Sequence, residues 1–237
     1  MKRLNALAVL AFTLFMSMMV SAQAQAFDAG GLSYNVTDAV ANTVEVTGRA
    51  SGNTDTVIVI PSSVSDSGTI YAVTTIGVQA FLNNALTSVT IPDSVTTIGV
   101  QAFYNNNLTS VTIPDSVTTI DVNAFTFNFL TSVTIPDSVT TIGVQAFLNT
   151  ALTSVTFLGD FGTFSLDMFS ANDSLETICT VEGASGWPQT FAPNTGPSGS
   201  VTSTTCTPAT PVPALPLFGL LTLGGLLGLF GLRKLKQ

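Results

Sequence analysis

Apolar residues return to the same places every 22 positions between Leu86 and Thr156. Leucine opens each copy, at Leu86, Leu108, Leu130 and Leu152. A valine column follows (Val89, Val111, Val133, Val155), then Ile91, Ile113 and Ile135, ending in Phe157. Another column runs through Ile76, Ile98, Ile120 and Ile142 to Phe164. Ala80, Ala102, Ala124 and Ala146 precede the longest aromatic column: Phe81, Phe103, Phe125, Phe147 and Phe169. A fixed period of this length predicts a solenoid, because one coil cannot bury its own apolar face and must stack on a neighbour. Residues one period apart then lie on adjacent coils, about 4.7–4.9 Å apart where strands pair. The phenylalanines become a continuous internal spine.

Polar positions interleave with these columns and predict the elements inside a coil. In Leu-Thr-Ser-Val-Thr-Ile, Val89 and Ile91 share one face while Ser88 and Thr90 share the other, as in a strand. Pro92-Asp93-Ser94 ends that strand with turn residues, and Val95 to Ile98 is a second short extended segment. Gly99 allows a bend. Ala102-Phe103 and the asparagines after them suit a tight helical or turn corner, with Asn106 or Asn107 left-handed.

Outside the regular copies the pattern changes. Residues 27–56 lack the period. Leu32 to Val36 and Thr43 to Val46 alternate like paired strands, with Asp38 and Asn42 near the turn. This predicts a hairpin that caps the first coil, whose sheet edge would otherwise be open. Residues 57–192 form the repeat array of about five coils, the first carrying an insertion from Ser65 to Val73. From Leu152 onward the copy drifts to bulkier residues (Phe157, Phe161, Phe164, Met168, Phe169), which suits a closing layer, with Trp187 in the C-terminal cap. Residues 193–213, rich in Gly, Ser, Thr and Pro, predict an extended linker.

The pattern L-x-x-V-x-I-P-x-S-V-x-x-I-G-x-x-A-F resembles the leucine-rich repeats of the BspA-like (Treponema pallidum type) class, over residues 57 to about 191. The resemblance implies a right-handed leucine-rich-repeat coil. It also implies export or surface attachment, and for several members adhesion.

The two ends carry membrane signals. Residues 1–26 have a basic start (Lys2, Arg3), an apolar run and a small-residue cleavage site, as in a secretory signal peptide. Residues 214–237 hold an apolar run followed by Arg233, Lys234 and Lys236, which predicts one transmembrane helix with a cytoplasmic basic stop. With its Val-Pro-Ala-Leu-Pro box, this tail resembles PEP-CTERM and IPTL-CTERM sorting signals, and implies a sorting protease as a partner. Cys179 and Cys206 are the only cysteines. In an exported chain they predict one disulfide, adding about 3–4 kcal/mol by the loop-entropy estimate.

Charge narrows the chemistry. Between the basic ends stands a single arginine, Arg49, against all 14 carboxylates, a formal charge of −13. Nothing there can neutralise phosphates, so nucleic acid is excluded as a partner. The chain has no histidine, which removes histidine bases, triads and metal sites. No cofactor motif is present. Asp93, Asp115 and Asp137 recur at the repeat period. They read as exposed turn residues, as a Ca²⁺ ladder, or as the carboxylates of a surface-polymer hydrolase. The exposed strand face carries Thr87, Ser88, Thr90, Thr109, Ser110, Thr112, Thr131, Ser132 and Thr134. These hydroxyls predict either a solvated structural sheet or a surface that contacts extracellular protein or polysaccharide. The expected function is an exported, membrane- or surface-anchored binding or adhesion protein without catalysis. The alternative is a structural component of the envelope or extracellular matrix.

Overall fold

The computed structural model describes residues 25–160, 163–164, 166–180, 190–191 and 201–205. The predicted transmembrane segment, nearly all of the predicted signal peptide, Phe161, Trp187 and Cys206 lie outside them. The chain divides into two units, Met1–Cys206 and Thr207–Gln237, and every described residue belongs to the first. Among the described residues no helix is long and apolar enough to cross a membrane.

The N-terminal cap is a three-stranded meander: β1 (Ala26–Ala29), β2 (Leu32–Asp38) and β3 (Thr43–Arg49). The predicted pair is its second half. Its turn is held where expected, with the Val40 and Ala41 N–H groups donating to Asp38 Oδ1 at 2.8 and 2.9 Å and Asn42 left-handed at φ 53°. Those two N–H groups, Ala41 first, hold the Asp38 carboxyl below its ordinary value. Alternation puts Leu32, Tyr34, Val44 and Val46 inside. Tyr34 stacks on Phe27 with ring centroids 5.5 Å apart, and burial pushes its phenol up to about 12.

The first coil supplies β4 (Val57–Val59) and then a hairpin, β5 (Ser63–Asp66) with β6 (Thr69–Ile76). The predicted insertion is that hairpin. Its turn has Ser67 and Gly68 both at positive φ, 47° and 87°, the arrangement whose twist matches paired strands. The following coils supply β7 (Ser88–Thr90), β8 (Thr97–Ile98), β9 (Thr119–Ile120), β10 (Ser132–Ile135) and β11 (Thr141–Ile142). They continue with β12 (Ser154–Phe157), β13 (Thr163–Phe164), β14 (Thr177–Thr180), β15 (Thr190–Phe191) and β16 (Val201–Thr205).

The short strands stack in parallel, in register with the sequence columns. Ile76, Ile98, Ile120, Ile142 and Phe164 are successive partners across β6, β8, β9, β11 and β13. The cap is continuous with this sheet, because β3 pairs in parallel with β6. It therefore extends the sheet rather than lying over an open coil.

On the other strand position, β4 pairs β7, while β10, β12, β14 and β16 stack in order with β15 at the end. Residues 193–213 are thus not wholly a linker. The valine- and threonine-rich run Val201–Thr205 adds a parallel strand to β14 and pairs an edge that would otherwise be open. Cys179, on β14, is disulfide-bonded.

The core is the predicted spine. Phe81, Phe103, Phe125, Phe147 and Phe169 are buried, with successive ring centroids 5.5, 5.2, 5.3 and 5.8 Å apart. Phe157 packs against Phe164 and Phe169, a bulkier layer as expected, but it does not close the stack, since β14 and β16 add to β12 beyond it.

The corner is a turn, and its left-handed residues differ from the expectation. Gln79, Gln101, Asn123 and Gln145 form one positive-φ column. Asn83, Asn105, Phe127, Asn149 and Ala171 form another. Asn106 and Asn107 belong to neither. Between left-handed residues the N–H groups point along the stack: Gln79, Phe81 and Asn83 donate to the carbonyls of Val100, Ala102 and Tyr104 in the next coil, at 2.8–3.0 Å. These corners therefore satisfy their backbone against the neighbouring coil without a helix, and only the corner at Leu166–Phe169, among the described residues, winds into a single 3-10 turn.

Candidate binding face

The predicted hydroxyls lie at the surface. Thr87, Ser88, Thr90, Thr109, Ser110, Thr112, Thr131, Ser132 and Thr134 are all exposed, while Val89, Ile91, Val133 and Ile135 are buried beneath them. Ser132 and Thr134 face Ser154 and Thr156 as directly paired rungs. Ser88 and Thr90 instead meet Val57 and Val59, so one end of the face is apolar. Thr87 and Thr153 each donate a hydroxyl hydrogen bond to a backbone carbonyl of the preceding coil, Thr56 and Thr131, at 3.3 and 3.2 Å.

The expected unbroken hydroxyl ladder is interrupted. Residues 109–113 form no strand, and Val111 is only partly buried. Their sequence is identical to that of 87–91 and 131–135, so the difference does not come from the segment's own residues. It reflects how the coils on either side sit.

Asp93, Asp115 and Asp137 are exposed. Their turns are closed by backbone: the Val95, Val117 and Val139 N–H groups donate to the carbonyls of Pro92, Pro114 and Pro136 at 3.1, 3.0 and 3.2 Å. The serine after each aspartate ties coils together. Ser94, Ser116 and Ser138 donate to the carbonyls of Val73, Val95 and Val117 at 2.7–2.8 Å. Among the described residues no group of three acidic or cysteine side chains is placed to hold a metal ion.

A buried asparagine column is not among the predicted site residues. Asn106, Asn128 and Asn172 are 2–3% exposed. Each reaches back one coil. Asn128 Oδ1 accepts from the Leu108 N–H at 3.1 Å, and its Nδ2 donates to the carbonyls of Phe103 and Phe125, both at 2.9 Å. Asn106 treats Leu86 and Phe81 in the same way, and Asn172 treats Leu152, Phe147 and Phe169. Thr150 occupies the same column and donates to Asn172 Oδ1 at 2.7 Å. The available signal was that asparagine recurs at the repeat period two residues before the leucine column, at Asn84, Asn106 and Asn128, which a loose turn would not require.

A model of the BspA type leucine rich repeat region matches residues 60–176 in six copies. A leucine-rich repeat protein from Bacteroides capillosus ATCC 29799 is 32% identical over 56% of this chain and 99% of its own, with a TM-score of 0.50. The chain belongs to the BspA-type leucine-rich repeat family. A leucine-rich repeat protein from Bacteroides ovatus ATCC 8483 is 28% identical over 65% of this chain and 46% of its own, at a TM-score of 0.48. The chain thus spans less than half the length of that protein. The T. pallidum leucine-rich repeat protein is 20% identical over 65% of this chain and 71% of its own, at 0.49. No curated protein matches the chain.

The BspA-type model matches six copies where about five were expected, and β14 stacks on β12 just beyond the last matched residue. One copy departs from its neighbours. Where other corners read Asn83, Asn105 and Asn149, the third has Phe127; where they read Ala85, Asn107 and Ala151, it has Phe129. Phe127 keeps the left-handed backbone, φ 56°. That conformation costs an ordinary L-residue roughly 1–2 kcal/mol and asparagine less. Phe127 and Phe129 are nevertheless 38% and 57% exposed.

Proposed function

We propose that this BspA-type chain is an exported, envelope- or surface-anchored binding protein, which engages an extracellular protein or polysaccharide through the hydroxyl face of its strands and performs no catalysis. The observation that carries this reading is the exposed, uncharged array from Thr87 to Thr134, laid over a rigid core. Regular hydroxyls on a rigid sheet offer many weak hydrogen bonds with little ordering cost, which suits an extended partner.

Thr90→Arg combined with Thr112→Arg adds bulk and charge on exposed positions, leaving the core intact. Solid-phase binding to extracellular-matrix proteins and to the host's exopolysaccharide should fall for the double variant. Unchanged binding to every one of them would remove the face as the site.

Anchoring belongs to the same proposal and rests on the sequence of the two ends. Processing at both ends should yield a species starting near Phe27, ending near Pro213 and found outside the cell. Intact mass and fractionation of the mature protein check this. A species that keeps 217–237 in the inner membrane would replace sorting with a plain tail anchor.

A further inference from the structure

The third coil's departures from the repeat fall on one place, a cleft at the corner edge of the stack. Its volume is about 370 Å³, within the range of small-ligand sites. Phe127 and Phe129 line it, with Asn105, Asn107, Asn128 and Asn149 around them. The Asn128 amide is consumed by the clamp on Leu108, Phe103 and Phe125. Asn105 is exposed and donates through Nδ2 to Asn83 at 2.7 Å, while its Oδ1 has no hydrogen-bond partner among the described residues. Asn107 and Asn149 are exposed, and their side-chain amides have no hydrogen-bond partner among the described residues.

The rings are held in position. Tyr104 meets Phe127 edge-on, centroids 5.3 Å apart with an interplanar angle of 86°. Tyr104 is itself a departure, since Leu82, Thr126 and Leu148 hold that column in the neighbouring coils. The fold gains little from these changes. Phenylalanine is a poor occupant of a left-handed position, and both rings stay partly in water. Residues that suit the repeat less well yet jointly shape a cleft point to selection for a ligand.

We propose that this corner cleft binds a neutral polysaccharide, with Phe127 and Phe129 as stacking platforms for sugar rings and the amides of Asn105, Asn107 and Asn149 as partners for their hydroxyls. A sugar ring has an apolar C–H face and a polar rim, and the lining offers both chemistries side by side. None of the lining residues is ionisable, so an anionic sugar finds no counter-charge, and the strongly acidic central chain repels it. The cleft lies at the corner, apart from the strand hydroxyls, and does not depend on their role.

Affinity electrophoresis of the full-length chain, in gels carrying laminarin, dextran, mannan or polygalacturonate, tests it. At least one of the three neutral polymers should retard the chain, and polygalacturonate should not. Phe127→Asn and Phe129→Ala restore residues the repeat uses elsewhere, so both variants fold, with Phe127→Asn melting no lower than the parent. Each should weaken neutral-glycan binding about tenfold, the scale of one aromatic contact. Both phenylalanine substitutions leave the strand hydroxyls unchanged, so a loss of retardation in them reads the cleft and not the strand face. Retardation by none of the neutral polymers, by polygalacturonate alone, or equally in parent and phenylalanine variants overturns the proposal. So does sedimentation in which the parent is a dimer and Phe129→Ala a monomer, because the rings would then serve a second copy of the chain.

Discussion

Asn128→Leu should destabilise the chain by about 3–5 kcal/mol, although the replacement is apolar and similar in size. The side chain is 3% exposed and satisfies three backbone groups: the Leu108 N–H and the carbonyls of Phe103 and Phe125. Leucine can replace none of these bonds. Each buried group left unpaired costs about 1–3 kcal/mol, and hydrophobic gain recovers only part of it. Asn128→Asp separates hydrogen bonding from size. It keeps an acceptor for Leu108 but loses the donor, and it buries a charge at neutral pH. Such a carboxyl has its folded-state pKa raised above the unfolded value of about 4. The variant should therefore be least impaired in acid and lose stability as pH rises through the folded pKa. Urea unfolding followed by circular dichroism at acid and neutral pH reads both effects. A loss under about 1 kcal/mol for the leucine variant would mean that the clamps are incidental.

The second large effect is on the spine. Phe103→Ala should cost about 3–5 kcal/mol, the range for truncating a fully buried aromatic. Phe103 stacks against Phe81 at 5.5 Å and Phe125 at 5.2 Å, so truncation removes two ring contacts as well as leaving a cavity. Phe81 stacks on Phe103 alone in that column, and Phe81→Ala should cost about 0.5–1.5 kcal/mol less, the value of one aromatic pair. Because each coil touches only its neighbours, a central break also weakens the coupling between the two halves of the array. Calorimetry should show a broader transition for Phe103→Ala than for Phe81→Ala. Equal losses at both positions would show that stability is not passed from coil to coil through the rings.

These two predictions differ in how visible their residues are in the chain. A phenylalanine recurring at a fixed period has few destinations other than a shared core, so the sequence pattern places Phe103 inside. Asparagine has several. Exposed in a turn, left-handed in a corner or buried with all its hydrogen bonds made, it is the same residue, and Asn105, Asn106 and Asn107 stand side by side with different fates. Asn105 takes the left-handed backbone, Asn106 is buried as a clamp, and Asn107 stays exposed, its side-chain amide without a partner among the described residues. Which is which depends on where the preceding coil presents its unpaired N–H and carbonyl groups.

Periodicity alone determined that this chain is a stack of coils, which residues form its core, and that its strand hydroxyls face outward. Side-chain alternation and a repeating apolar column leave no other way to bury that much surface. The tertiary structure decided what lies between coils. It made the cap a continuation of the sheet through β3 and β6, and recruited Val201–Thr205 as a strand. It also interrupted the outer ladder at 109–113, in a segment identical to its paired neighbours. It gathered Phe127, Phe129 and three asparagine amides, drawn from successive coils, around one cleft. The physical reason is common to all of these. A coil's own residues set which face it buries, but pairing, clamping and cleft formation are properties of two coils at once.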